Sequence, residues 1–125
     1  MKVICCGSRS WTDSFTIRCA LATYPDTTTV VHGASPGGGA DLLADEAARR
    51  LGFTVVRVPI ADIDRRRARS RRQAPILRNL RMLDEHPDAD RLEAFWDGKS
   101  PGTRHMIGEA RRRGLLVTVT IPQRV

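Results

Sequence analysis

Apolar residues along this chain fall into short unbroken runs, separated by longer stretches in which they recur at helical spacing. The runs are Lys2–Cys6 (KVICC), Thr28–His32 (TTVVH), Phe53–Val58 (FTVVRV), Leu92–Trp96 (LEAFW) and Leu115–Ile121 (LLVTVTI). They are short and mostly β-branched or apolar, which predicts five buried strands. The intervening stretches predict helices over Ser14–Tyr24, from Ala40 or Asp41 to Leu51, Ala74–Glu85 and Pro101–Arg113. Their punctuation agrees: Asp13 or Thr12 caps the first, Pro25 ends it, Gly52 and Gly114 stop two others, and Pro59 and Pro122 close strands. Strands that read as hydrophobic runs and alternate with helices imply a parallel sheet covered on both faces. Right-handed crossovers leave a doubly wound, Rossmann-like α/β fold as the simplest solution: three layers, about five strands in the order 3-2-1-4-5.

In such a sheet the chain reverses direction between the first and fourth strands, and ligands sit outside the C-terminal strand ends at that point. Two polar, glycine-bearing loops fall there, Gly7–Trp11 and Asp97–Thr103, with the glycine-rich loop Gly33–Asp41 beside them. In the second of these, Ser100 is a good N-cap and Pro101 occupies the first helical turn, where proline is best tolerated. A helix start offers unpaired N–H groups and the positive end of a dipole, which suits an anion such as phosphate. An ordinary strand-to-helix turn fits that loop equally well; the convergence of three loops at one edge is the stronger signal.

At 125 residues the chain is long enough for one domain spanning 1–125. With 41% hydrophobic but only 5% aromatic residues, its core is expected to be aliphatic. No apolar run approaches the ~20 residues that cross a bilayer, and Met1–Cys6 is too short for a secretory signal, so a cytoplasmic protein without a membrane partner is expected. Cys5, Cys6 and Cys19 are odd in number and include no CxxC pair, which supports neither a disulfide framework nor zinc. His32, His86 and His105 lack metal-ligand spacing. No metal and no cofactor is called for.

Net charge is +7, and of the 21 basic residues only Lys2 and Lys99 are lysines. Such an arginine bias often reflects a GC-rich genome, bacterial or phage, rather than function. A basic surface still attracts phosphates or nucleic acid. Six arginines crowd Ala61–Gln73 (Arg65, Arg66, Arg67, Arg69, Arg71, Arg72) on a segment with almost no apolar face. It reads as a solvated helix or a mobile loop, either a charged connection or an electrostatic clamp for phosphates.

The same loops carry a resemblance. Gly7-Ser8-Arg9-Ser10-Trp11, His32-Gly33 with Gly39-Ala40-Asp41, Pro75-Ile76-Leu77-Arg78-Asn79 with Met82, and Phe95-Trp96-Asp97-Gly98-Lys99-Ser100 with Gly102-Thr103 occur in order along essentially the whole chain. Together they are similar to the YspA-like, cpYpsA-related family of the SLOG superfamily. The resemblance implies a Rossmann-like fold that binds a nucleotide or nucleotide-derived ligand, such as a nucleoside phosphate or an ADP-ribose-like molecule. The chain departs from the superfamily's phosphoribohydrolases. Arg78 matches their arginine, but their catalytic glutamate falls on Met106, which can neither move a proton nor stabilise a ribosyl cation. Glu109 lies one turn further on and would have to reach back. The loop after His32 is also longer than the family's pattern.

On this reading Gly7, Ser8 and Arg9 line one side of the site, with Arg9 pairing a phosphate. Trp11 stacks on a base or packs over the first helix. His32 is a ligand contact or, more simply, a structural histidine beside Gly33 and Gly39. Asp41 meets a ribose hydroxyl or favours its own helix start. Arg78, with Asn79, is half-buried at the site or snorkels to solvent. Asp97, Gly98, Lys99, Ser100, Gly102 and Thr103 supply phosphate or ribose contacts. Arg78 and Glu109 are the only candidates for catalysis. Three functions follow: a binding module acting as sensor, carrier or sequestering protein; an enzyme cleaving an N-glycosidic bond; and a nucleic-acid binder using Arg65–Arg72. The first is the expectation. A homodimer or higher homo-oligomer is expected too, with Met106, Ile107 and Ala110 either at an interface or in the core.

Overall fold

In the computed structural model, which describes residues 1–122, five strands form one parallel sheet. They are β1 (Lys2–Gly7), β2 (Thr29–His32), β3 (Thr54–Arg57), β4 (Arg91–Phe95) and β5 (Leu116–Thr120), in the spatial order β3-β2-β1-β4-β5. The expected strand order is therefore the observed one. The helices are α1 (Ser14–Leu21), α2 (Ala40–Arg50), α3 (Asp62–Arg67), α4 (Gln73–Glu85) and α5 (Pro101–Arg112).

Alternation along β1 sorts the core into two layers, because successive side chains of a strand point to opposite faces. Val3 and Cys5 pack with Ile17, Leu21, Ala44 and Ala48 beneath α1 and α2. Ile4 and Cys6 pack with Met82, Leu83, Met106 and Ile107 beneath α4 and α5. Met106, Ile107 and Ala110 are thus core residues and form no free face for a second copy. Among the described residues no helix is long and apolar enough to cross a membrane.

One element departs from its expected bounds, and of the two readings of the arginine-rich segment the helical one holds for part of it. α1 stops at Leu21, three residues early, because Ala22–Tyr24 fold back as a turn in which the Tyr24 amide donates to the Leu21 carbonyl (3.1 Å). The arginine-rich segment contains a true helix, α3, with Asp62 and Asp64 in its first turn and Arg65–Arg67 in its last, as the helix dipole favours. Asp64, on α3's inner side, is buried and accepts both Arg81 Nε (3.1 Å) and Arg81 Nη2 (2.8 Å) from α4.

One buried acid sits apart from every candidate site residue. Glu93 on β4 accepts the Tyr24 hydroxyl at Oε1, while Oε2 meets no partner among the described residues. Burial pushes its carboxyl above the usual carboxylate range. The folded state then holds this proton to higher pH than the unfolded chain does. Glu93 therefore contributes stability in acid that is lost as pH rises from the ordinary carboxylate value through the raised one. Chemical denaturation should show the wild type losing stability relative to Glu93→Gln as pH rises above the ordinary carboxylate range. Parallel profiles for the two proteins would contradict the buried, proton-retaining state.

Candidate functional site

The loops after β1 and β4 and the start of α2 meet at the C-terminal edge of the sheet, and Ser8 ties them together. Its amide donates to Phe95 O (2.9 Å), and its carbonyl accepts from Trp11 N (3.2 Å) and Ala40 N (3.1 Å). Its buried hydroxyl accepts from Asp97 N (3.0 Å) and bonds Ser100 Oγ (3.0 Å). Gly7 permits this junction. A Cβ on it would lie 2.4 Å from Phe95 O and 2.5 Å from Ala40 Cβ. Gly39 is needed twice over: its φ is 86°, and a Cβ there would lie 2.5 Å from Arg9 Cα.

These loops open onto a cleft of about 840 Å³, within the size range of small-ligand sites. Of the residues expected at the site, it is lined by Gly7, Ser8, Arg9, Gly33, Asp41, Arg78, Asn79, Asp97, Ser100, Gly102 and Thr103. At its base lies Arg78, which is 4% exposed. Its Nη1 donates to Gly33 O and to Val58 O (3.3 Å), and its Nε to Asn79 Oδ1 (3.0 Å). Every one of these acceptors is neutral. Asp41 and Asp64 attract the guanidinium only from beyond contact, and desolvation pulls its pKa below the ordinary arginine value. The sequence left Arg78 between burial at a site and snorkelling; the fold buries it. Gly33 makes room for it, since a Cβ there would lie 2.5 Å from the guanidinium carbon.

The start of α5 lines the same cleft as Arg78. Ser100 is its N-cap residue but does not cap it, because its hydroxyl turns to Asp97 Oδ1 (3.0 Å) and to Ser8. Among the described residues no side chain therefore satisfies the first amides of α5, and Pro101 at the first helical position has no N–H to satisfy. Gly102 has open space where a Cβ would go, so no protein atom requires a glycine there. Asp97 organises the loop rather than standing free. It accepts the Lys99 and Ser100 amides (2.8 Å each) and the Ser10 hydroxyl (3.1 Å). Those bonds hold its carboxyl well below the usual carboxylate range.

Several expected site residues lie elsewhere. Trp11 is buried against Phe95 with ring centroids 5.7 Å apart, and its Nε1 donates to Asp13 O (2.9 Å), so no ring face is left for a base. His32 has both ring nitrogens engaged. Nδ1 accepts the Ala34 amide (2.9 Å), so Nε2 carries the proton and donates to buried Asp45 (2.6 Å). Gly39, Gly98 and Lys99 shape loops without lining the cleft. Glu109 sits further along α5, bound to Arg112 and to Arg113 (3.1 Å), and contributes nothing to the cleft. Met106 is fully buried beneath α5, so no carboxylate of that helix reaches the cleft.

The cleft also has components outside the individual site residues expected from the sequence. Ile60, Pro75 and Ile76 form an apolar wall, suited to the face of a planar ring. Arg71 and Arg72 stand at its lip, whereas Arg65 pairs with Asp62 (3.0 Å) on α3. The arginine run is therefore divided rather than presented as one stripe. Periodicity does not reveal this, because the division depends on the break between α3 and α4. Cys6 reaches the cleft base, but burial pushes its thiol far above the ordinary value, so it remains a protonated wall residue. Among the described residues no group of three or more His, Cys, Asp or Glu is placed to hold a metal ion.

With this geometry in view, two likenesses to known proteins bear on the chain. Residues 1–65 match the family described as YAcAr, YspA, cpYpsA-related SLOG family. The match takes in the loops after β1 and β2 and ends within α3; Arg78 and the α5 loop lie beyond it. Over 124 residues the chain is 37% identical to the gene 61 protein of Mycobacterium phage D29, with 93% of each chain covered.

Proposed function

Because the chain belongs to the YspA, cpYpsA-related SLOG family, we propose that it binds a nucleotide or nucleotide-derived molecule in this cleft and acts as a binding module. The observation that carries this reading is Arg78: a buried cation whose acceptors are all neutral, facing a cleft beside the uncapped start of α5. Burying a charge without a countercharge costs the fold. A ligand phosphate between Arg78 and the α5 amides would supply that countercharge, and the Ile60–Ile76 wall would cover a base or sugar face. N-glycosidic cleavage gains no support from α5, whose Met106 and Glu109 are both withheld from the cleft.

The test is mass spectrometry of small molecules released from freshly purified, heat-denatured protein, followed by thermal shifts with a nucleotide panel. A stoichiometric nucleotide-type compound, or a shift with panel members, is expected. Gly102→Ala should leave the ligand-free melting temperature unchanged or slightly raised, since the added methyl meets no protein atom and alanine favours helix. The same variant should weaken binding by about tenfold, as expected if the methyl takes ligand space worth ~1.4 kcal/mol. An empty preparation together with no shift from any nucleotide would overturn the proposal.

A further inference from the structure

We propose that Arg71 and Arg72 form a second anion subsite at the lip of the cleft, which makes the protein selective for a nucleoside carrying a chain of two or more phosphates over the matching monophosphate. This rests on the nucleotide-binding reading of the same cleft and adds to it the class of ligand.

Three observations carry it. First, both side chains line the cleft, both residues are exposed, and among the described residues neither makes a side-chain hydrogen bond or ion pair. Their charge is therefore available to a ligand, unlike that of Arg81, which is spent on Asp64 and Glu85. Second, the backbone that presents them is anchored at both ends. On the α3 side, buried Asp64 binds Arg81 through two nitrogens and accepts the Ala61 amide (2.8 Å). On the α4 side, the Arg69 amide donates to Gln73 Oε1 (2.6 Å). The connection between α3 and α4 is thus held over the cleft, which limits the ordering cost when a ligand arrives.

Third, the two basic centres are separate. Arg72 immediately precedes α4 and Arg78 lies within it. Six residues at the helical rise place their backbones about 9 Å apart along the axis. The Arg78 guanidinium is held by the Gly33 and Val58 carbonyls. One phosphate held by Arg78 and the α5 amides leaves the lip arginines to a further phosphate. Four arginines (Arg9, Arg71, Arg72, Arg78) against two carboxylates (Asp41, Asp97) line the cleft, a balance that favours a polyanion.

The experiment is calorimetric titration with the mono- and diphosphates of the four ribonucleosides. The proteins are the wild type, Arg71→Ala/Arg72→Ala, Arg78→Met, and a charge control, Arg50→Ala/Arg111→Ala, which removes two cations from the last turns of α2 and α5. The wild type should bind a diphosphate more tightly than its monophosphate. The lip variant should lose about tenfold or more for the diphosphate and change less than about threefold for the monophosphate, while the charge control shows no such split. Equal losses for both ligands, or the same split in the charge control, would overturn the lip subsite while leaving the nucleotide reading in place. Undiminished binding in Arg78→Met, or no binding of any nucleotide by the wild type, would overturn the nucleotide reading and this inference with it.

Discussion

Arg78→Met should abolish or severely weaken ligand binding while leaving the ligand-free protein about as stable as before. Truncating one partner of a buried, charge-assisted contact costs about 2–5 kcal/mol, which is at least a roughly 30-fold loss of affinity. Two opposing effects act on stability. Methionine fills a similar volume without the desolvated charge, and replacing buried charges by apolar groups is often neutral or favourable by about 1–4 kcal/mol. Against this, Gly33 O and Val58 O lose their guanidinium donor, at about 1–3 kcal/mol for a buried acceptor left unpaired. These offset to within about 2 kcal/mol. Denaturant melts and titrations on the same preparation distinguish the roles. A variant that unfolds but still binds when folded would make Arg78 a structural residue. One that folds but does not bind is the expected result.

Gly7→Ala should produce a large loss of stability from a single added methyl. The new Cβ would fall against the Phe95 carbonyl oxygen and the Ala40 methyl, both in the packed interior. Neither is the end of a flexible side chain, so β1, β4 or α2 has to move. The Phe95 carbonyl is also the acceptor of the Ser8 amide, so the clash falls on the junction of the three loops. Overpacking of this kind costs about 3 kcal/mol, which for a domain of this size lowers the melting temperature by roughly 10 °C. Any folded fraction should also bind ligand poorly, because Ser8 then no longer holds the loops together. A melting temperature unchanged from wild type would show that the strands and α2 accommodate the methyl.

Gly7 and Gly102 differ in what the fold demands of the same residue type. At Gly7 the protein itself excludes a side chain; at Gly102 nothing among the described residues does. A glycine in the first turn of a helix with open space at its Cβ costs stability relative to alanine without any packing reason. That pattern is the one expected where backbone must stay open to a ligand.

Local pattern was sufficient for the parts of this protein whose physics is local. Hydrophobic runs of strand length, helical spacing between them and Gly/Pro punctuation located the five strands and four of the five helices, and the chirality of crossovers gave the strand order. That order in turn brings Gly7–Arg9, Gly33, Asp41 and the Asp97–Thr103 loop to one edge. What the sequence did not decide was which polar residue at that edge faces the cleft and which faces its own neighbours. The sequence leaves Trp11 between base stacking and packing and reads His32 more simply as structural; contact with Phe95 and Asp45 decides both. Arg78 and Arg81 sit one turn apart on α4, and only tertiary contact separates them. Arg81 meets Asp64 from α3, whereas Arg78 meets neutral acceptors and touches no carboxylate among the described residues. The same contact folded half of the arginine run into a helix and left Arg71 and Arg72 at the lip. Periodicity and turn chemistry are set by neighbours along the chain. Charge pairing and burial are set by whatever the fold brings into contact, and a single polar position carries no record of that partner.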